Sequence, residues 1–130
     1  MTAETKTAVP DIQIQVETDY IESQSVPDKE RYVFSYTITI ANHSETSAKL
    51  LARHWVITDA NGKVQEVRGE GVVGEQPILK PGEQYEYTSG TLLDTAVGTM
   101  GGSYQMIDGE GNPFDAVIPE FVLSAPRTLH

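Results

Sequence analysis

Apolar and polar residues alternate along several short stretches of this 130-residue chain. The stretches Asp11–Tyr20 and Tyr32–Ala41 show the pattern most clearly, with apolar residues at most alternate positions. A period of two with one apolar side is typical of an antiparallel strand that is buried on one face. The predicted buried face of the second stretch is rich in aromatic and β-branched residues: Tyr32, Phe34, Tyr36, Ile38 and Ile40.

The stretch Leu50–Thr58 is apolar on both sides, which is typical of a central strand. Strict alternation places Leu51, Trp55 and Ile57 on one face, with Leu50 and Val56 on the other. We expect Trp55 to stand between two sheets as a core residue.

A hairpin is predicted directly after this strand, at Asn61-Gly62. Asn-Gly between two strand-like runs is a strong hairpin signal, because both residues accept positive φ. Further strands are predicted from alternation, bounded by turns at Pro81-Gly82 and Asp108–Asn112, and they cover Lys63–Val67, Gln84–Thr91, Ser103–Asp108 and Pro113–Leu123. Pro119 in the last run indicates an edge strand or a bulge.

Apolar residues nowhere recur at helical spacing over ten or more positions. About seven short strands separated by turns favour an all-β fold, an immunoglobulin- or fibronectin type III-like β-sandwich of antiparallel strands, and exclude an α/β fold. The predicted organisation is a flexible N-terminal tail over residues 1–10, one domain over 11–124, and a flexible C-terminal tail over 125–130.

Composition removes several classes of function. The net charge is −10, with no cluster of basic residues, which argues against a nucleic-acid partner. No apolar run approaches the roughly 20 residues that span a bilayer, and the N-terminus lacks the pattern of a signal peptide. The absence of cysteine excludes disulfides and thiolate sites. We therefore expect a cytoplasmic protein with no membrane partner and no cofactor.

The hexapeptide Gly69–Gly74 has the spacing G-x-G-x-x-G. In dinucleotide-binding folds these glycines lead from a strand into a helix whose N-terminus binds pyrophosphate, and no helix is predicted here. Successive glycine amides can still form an anion-binding loop, for which the candidate residues are Arg68, Gly69, Gly71 and Gly74. The competing interpretation is that the glycines allow a tight connection between sheets.

Two valines inside this hexapeptide, Val72 and Val73, are candidate interaction residues. If their side chains project from the loop, they form a small apolar contact patch. If the side chains turn under the loop, they extend the core. The sequence leaves both possibilities open.

Catalytic and metal-binding patterns are missing from the sequence. The histidines, His43, His54 and His130, are not spaced to share a metal ion, so no metal site is predicted. No serine, histidine or carboxylate lies in a known catalytic signature, so we do not expect an enzyme.

Six motifs together resemble the ApaG family, also called CorD in some bacteria. They span most of the chain and cover Arg53–Asp59, Glu66–Pro77, Leu79–Gly82, Tyr87–Gly90, Met100–Tyr104 and Ile118–Phe121. The resemblance implies a single fibronectin-type sandwich with no assigned catalytic residues. It also implies a link to magnesium and cobalt efflux in bacteria and genetic proximity to diadenosine tetraphosphate hydrolysis. In eukaryotes, similar domains are appended to F-box proteins and to a DNA-polymerase-interacting protein, which favours an interaction role.

The predicted function is therefore a non-enzymatic binding or regulatory module that recognises a protein partner. By resemblance, it is linked to Co²⁺ and Mg²⁺ efflux or homeostasis. The alternative is a small-ligand sensor that binds pyrophosphate or a dinucleotide polyphosphate at the Gly69–Gly74 loop.

Overall fold

The computed structural model describes residues 10–126, which form two antiparallel β-sheets. Most of the two predicted tails, residues 1–10 and 125–130, lies outside the described residues. The strands are β1 (Ile12–Tyr20), β2 (Tyr32–Asn42), β3 (Ala48–Asp59), β4 (Val64–Glu70), β5 (Ile78–Leu79), β6 (Gln84–Leu93), β7 (Val97–Asp108) and β8 (Pro113–Ser124). Two short 3-10 helices, Glu22–Gln24 and Pro27–Lys29, lie in the β1–β2 connection.

The smaller sheet has the strand order β1-β2-β6, and the larger has the order β4-β3-β7-β8. The two-residue strand β5 pairs with β3 on the same side as β4, so β4 and β5 are two parts of one interrupted edge. Residues 10–126 thus form seven long strands in a sandwich, which confirms the predicted fold class. Strands β4 and β6 both have one free edge.

An aromatic cluster joins the two sheets. Trp55 of β3 packs edge-on against Tyr36 of β2, with ring centroids 5.3 Å apart, and against Tyr104 and Phe121 of the larger sheet at 6.3 and 6.0 Å. Aromatic pairs at these distances and angles stabilise a core beyond the area that they bury. The predicted role of Trp55 as a core residue between two sheets is confirmed.

Strand β3 contains a β-bulge between Leu50 and Ala52, where its pairing with β7 shifts register. Leu51 is the additional residue, so the alternation changes phase at this point. The predicted face that grouped Leu51 with Trp55 was wrong: Leu50 is the fully buried residue, and it shares the inner face with Trp55. Arg53 lies beyond the bulge, two positions before Trp55, and therefore also faces inward.

The predicted hairpin after β3 is confirmed, but its geometry differs from the prediction. The amide of Asp59 donates to the carbonyl of Lys63 at 3.0 Å, which leaves a three-residue loop. Only Gly62 has a positive φ, of 82°, while Asn61 does not. The Asp59 carboxylate accepts hydrogen bonds from the amides of Asn61 and Lys63, so it holds the turn in place of a second positive φ.

The second bulge lies in β8, where the pairing with β7 shifts between Met100 and Gly102. Opposite this shift, Phe121 and Ile118 are separated by Pro119 and Glu120. Strand β8 is also the outer strand of its sheet. Both features that Pro119 predicted, an edge strand and a bulge, are therefore confirmed.

Asn42 ties the end of β2 to its neighbours from a buried position. Its side-chain amide donates to the carbonyls of Thr46 and Leu79, both at 2.9 Å. Its side-chain oxygen accepts hydrogen bonds from the amide and the hydroxyl of Ser44. A buried side chain with its hydrogen bonds satisfied in this way fixes the relative position of the segments it joins.

We predict that Asn42→Ala lowers the free energy of unfolding by about 2 kcal/mol, because it leaves the buried carbonyl of Leu79 without this donor, whereas the carbonyl of Thr46 keeps the Ser44 hydroxyl. Urea unfolding monitored by Trp55 fluorescence measures this change. As the control, Ser44→Ala removes only the hydroxyl contacts and is expected to lose about 1 kcal/mol or less. Equal losses in the two variants would contradict the role given to Asn42.

Candidate functional site

The glycine hexapeptide ends in a tight turn between β4 and β5. The amide of Val72 donates to the carbonyl of Glu75 at 2.8 Å, and the amide of Glu75 donates back at 2.9 Å. The two residues between them, Val73 and Gly74, have φ values of 43° and 81°. Positive φ at both central residues is the property of a type I′ turn.

Glycine suits such a turn, but valine does not. A β-branched residue with positive φ is a genuine conformational outlier. Holding Val73 there costs on the order of 1–3 kcal/mol, and such strain persists only where the surrounding structure enforces it. Because strained residues are concentrated at functional sites, this turn is a candidate functional site.

The two valines have opposite surroundings. Val72 is 0% exposed and belongs to the hydrophobic core, whereas Val73 is 55% exposed at the tip of the turn. The sequence left open whether these side chains project from the loop or turn under it; Val73 projects, and Val72 turns under. Val72 is a core residue and cannot contact a partner in this conformation, so Val73 alone remains a candidate interaction residue.

The predicted anion-binding residues are only partly brought together. Gly71 and Gly74 lie in the same turn, but the amide of Gly71 already donates to the carbonyl of Leu51 at 2.9 Å. The neighbouring Val72 and Glu75 amides are engaged in the turn itself.

Arg68 lies on the outer face of the sheet, since its neighbours in β4, Val67 and Gly69, face inward. Its side chain is 72% exposed, and its Nη2 lies 3.7 Å from the carboxylate of Glu66. The same carboxylate lies 2.8 Å from His54 Nε2. Arg68 is therefore directed away from the inner side of the turn. Anion binding by Arg68, Gly69, Gly71 and Gly74 stays a prediction.

Arg53, not Arg68, is the cation associated with the hexapeptide. Its Nη1 donates to the carbonyls of Glu70 at 3.1 Å and Gly71 at 2.8 Å. Its guanidinium also covers Gly69, where an added Cβ would lie 2.7 to 2.8 Å from Nη2, Cζ and Nη1. Gly69 thus lacks a side chain at the place that the guanidinium occupies.

The contact between Arg53 and Gly69 could not be predicted from the hairpin signal. The two-residue loop expected at Asn61-Gly62 would place Arg53 opposite Glu70. The three-residue loop that forms instead, closed by the Asp59–Lys63 hydrogen bond, places Arg53 opposite Gly69.

A cleft of about 280 Å³ opens beside Arg53, on the side of the sandwich where β4 and β6 have their free edges. Residues from both sheets and from the glycine turn line this Arg53 cleft: Tyr36, Arg53, Trp55, Glu70, Val72, Val73, Gly74, Tyr87 and Ser89. One guanidinium and three hydroxyl-bearing side chains therefore converge on a single small space.

Burial affects Tyr36 and Tyr87, which line the cleft, and Tyr104, which lies behind Tyr87. Burial raises the pKa of Tyr36, Tyr87 and Tyr104, and the positive charge of Arg53 opposes that rise in each case. The hydroxyls of Tyr87 and Tyr104 share a hydrogen bond of 2.6 Å. The hydroxyls of Tyr36 and Tyr87 therefore stay protonated at neutral pH and are neutral polar groups of the cleft.

Residues 10–126 contain no group of three or more histidine and carboxylate side chains placed to hold a metal ion. His43 and His54 fall within this range, while His130 lies outside the described residues. Neither of the two short helices is long and apolar enough to cross a membrane.

The comparisons with known proteins agree with one another. The model of the ApaG domain family (DUF525) matches residues 22–108. Protein ApaG of Dechloromonas aromatica is 57% identical over 119 residues, covering 92% of this chain and 94% of the relative. Protein ApaG of Thiobacillus denitrificans is 60% identical with the same coverage. A crystal structure of a Bordetella pertussis protein named ApaA has a TM-score of 0.88 at 49% identity, covering 92% of this chain and 97% of that one.

We predict that Gly69→Ala destabilises the protein by about 1 kcal/mol or more, although alanine is normally the better residue in a strand. The added methyl group displaces the Arg53 guanidinium, and the charge-assisted hydrogen bonds to two carbonyls are lost. A double-mutant cycle with Arg53→Ala, followed by urea unfolding, isolates this effect. In the Arg53→Ala background the same Gly69→Ala change is expected to be neutral or stabilising, and an unchanged loss there would refute the contact.

We also predict that the free energy of unfolding falls as the pH rises above about 10, the ordinary pKa of tyrosine. Because burial raises the folded-state pKa of Tyr87 and Tyr104, the unfolded chain releases their protons first. The stabilisation that Tyr87 and Tyr104 contribute to the folded state is fully present below that pH and is lost at higher pH. Urea unfolding along an alkaline pH series measures the slope, which Tyr104→Phe should reduce. An identical slope in that variant would contradict the assignment.

Proposed function

This chain belongs to the ApaG family, and we propose that it is a non-enzymatic binding module that recognises a protein partner through the Val73 turn. The observation that supports the proposal best is the conformation of Val73. Asparagine or glycine would form the same turn without strain, so the valine is the poorest of these choices for folding. An exposed apolar side chain kept at a conformational cost is explained by a contact that it makes.

The turn is suited to this role because it is held firmly. Val72 is buried in the core directly before the tip, and the Val72–Glu75 hydrogen bonds close the turn on both sides. A tip that is already ordered loses little conformational entropy when a partner binds. Val73 thus resembles a pre-organised apolar anchor more than part of a mobile loop.

The surroundings offer further contact area. Ile78 in β5 lies farther along the same interrupted edge and is also exposed. Strand β6, which borders the Arg53 cleft, pairs only with β2 and has a free edge along its length. A partner segment could add to such an edge as an extra strand while it contacts Val73.

The link to Co²⁺ and Mg²⁺ homeostasis, which the family resemblance implies, is part of the proposal. In this proposal, the module influences cation homeostasis through the partner that it binds. The alternative of a pyrophosphate or dinucleotide polyphosphate sensor at Gly69–Gly74 draws less support. The amides of Gly71 and Val72 in that segment already have backbone acceptors, and Arg68 lies on the outer face.

We predict that Val73→Asn raises the free energy of unfolding by about 1 kcal/mol, because asparagine tolerates positive φ. The same change should abolish partner recovery in quantitative cross-linking and affinity purification from cells, since it removes the apolar contact.

Val64→Asn is the matched control, because Val64 is an equally exposed valine on the outer face of β4. This control should keep the partner and should not gain stability. Undiminished partner recovery with Val73→Asn would sink the proposed role of the turn.

A further inference from the structure

We propose that the Arg53 cleft binds a carboxylate group, supplied either by a small organic acid or by an acidic residue of another chain. This inference does not depend on the role of the Val73 turn. It rests on the placement of Arg53, on the charges that line the cleft and on the size of the cleft.

Arg53 is a cation inside the sandwich without an anionic partner. Its side chain lies on the inner face of β3 between the sheets, and it forms no salt bridge with any carboxylate in residues 10–126. Its only hydrogen-bond acceptors in this part of the chain are the carbonyls of Glu70 and Gly71. A half-buried charge normally has a partner of opposite charge, because desolvation is costly otherwise. The missing partner points to an anion from outside the chain.

The donors of Arg53 that make no hydrogen bond with the described residues have the geometry to bind a carboxylate. Nη1 makes both carbonyl contacts, which leaves Nε and Nη2 without an acceptor among the described residues. These two nitrogens form one edge of the guanidinium fork, and that edge matches the two oxygens of a carboxylate. The contacts with Gly69 and the two carbonyls hold the guanidinium in place, so the fork is ordered before a ligand arrives.

Neutral donors from the smaller sheet face the same space. Tyr36 of β2 and Ser89 of β6 are directly paired across the sheet, and both line the cleft with Tyr87. Hydroxyl groups can donate to a carboxylate oxygen without adding charge. The cleft therefore offers one positive charge and several neutral donors to a ligand.

The charges favour a carboxylate over a phosphate or pyrophosphate. Arg53 is the one cationic residue of the lining and Glu70 the one acidic residue, in a protein whose net charge is −10. A single guanidinium balances one negative charge, whereas a phosphate monoester carries about two at neutral pH. The cleft volume of about 280 Å³ is also small for a ligand site. A carboxylate on a short side chain fits both limits.

The test is a titration of the ¹⁵N-labelled protein observed at the Arg53 Nε–H and Trp55 Nε1–H signals. The probes are sodium acetate, the blocked peptide acetyl-Ala-Glu-Ala-amide and inorganic phosphate, each at constant ionic strength maintained with sodium chloride. Saturable shifts at these signals are expected with acetate and with the peptide, and weaker ones with phosphate. The peptide with Gln in place of Glu should give none.

Two variants and a control complete the experiment. Arg53→Lys keeps the charge but loses the fork, so carboxylate binding should weaken at least about tenfold. Arg31→Lys, a change at an exposed arginine outside the cleft, should leave binding unchanged. Ser89→Ala removes one neutral donor and should weaken binding severalfold, and it serves as the deciding variant if Arg53→Lys does not fold.

Each outcome of the titration decides the proposal. Tighter binding of the peptide than of acetate supports an acidic residue of another chain as the source, and comparable or tighter acetate binding supports a free acid. The proposal is overturned if no carboxylate gives saturable shifts at Arg53. It is equally overturned if phosphate binds better than both carboxylates, or if a folded Arg53→Lys protein binds as tightly as the unchanged one.

Discussion

The β-bulge at Leu51 is the constraint on which the remaining structure depends. The carbonyl of Leu51 accepts two hydrogen bonds of 2.9 Å, from the amide of Gly71 and from the side chain of Gln76. The amide of Leu50 donates to the carbonyl of Pro77 at 3.0 Å. One irregularity in the central strand thus anchors the glycine turn where it leaves the edge of the sheet and where it returns. The same bulge changes the phase of β3, so that Leu50 before it and Arg53 after it both lie on the inner face.

This anchoring explains how the strained turn persists. The cost of positive φ at Val73 is on the order of 1–3 kcal/mol. Burial of the Val72 side chain contributes about 1.5–3 kcal/mol, and each backbone hydrogen bond adds about 1 kcal/mol. The anchors therefore outweigh the strain, and no rearrangement of the core is needed to hold the turn. A looser loop would relax Val73 to negative φ.

The sequence predicted the sandwich and most strands because alternation with one buried face is a strong signal in β1 and β2. In β7 only Ser103–Asp108 was predicted, because glycines interrupt the pattern over the first half of the strand, from Val97 to Gly102. The sequence could not predict the bulge, since Leu50 and Leu51 are both leucine and either one fits an inner position. Val72 and Val73 present the same difficulty, because two identical neighbours give no pattern that distinguishes the buried one. The Arg53–Gly69 contact was not predictable either, because the two-residue loop expected at Asn61-Gly62 would place Arg53 opposite Glu70. Alternation alone does put Arg53 on the face of Trp55, since no register shift lies between them.

Two energetic costs fall in the same small part of the molecule. A half-buried arginine without a carboxylate partner in residues 10–126 and a valine with positive φ both line the Arg53 cleft. The fold requires neither, because the aromatic cluster around Trp55 and the aliphatic core already join the two sheets. Local features that disagree with the rest of a consistent structure are expected at functional sites. Strain and desolvation are independent physical effects, so their occurrence in one cleft argues more strongly for a binding site than either does alone.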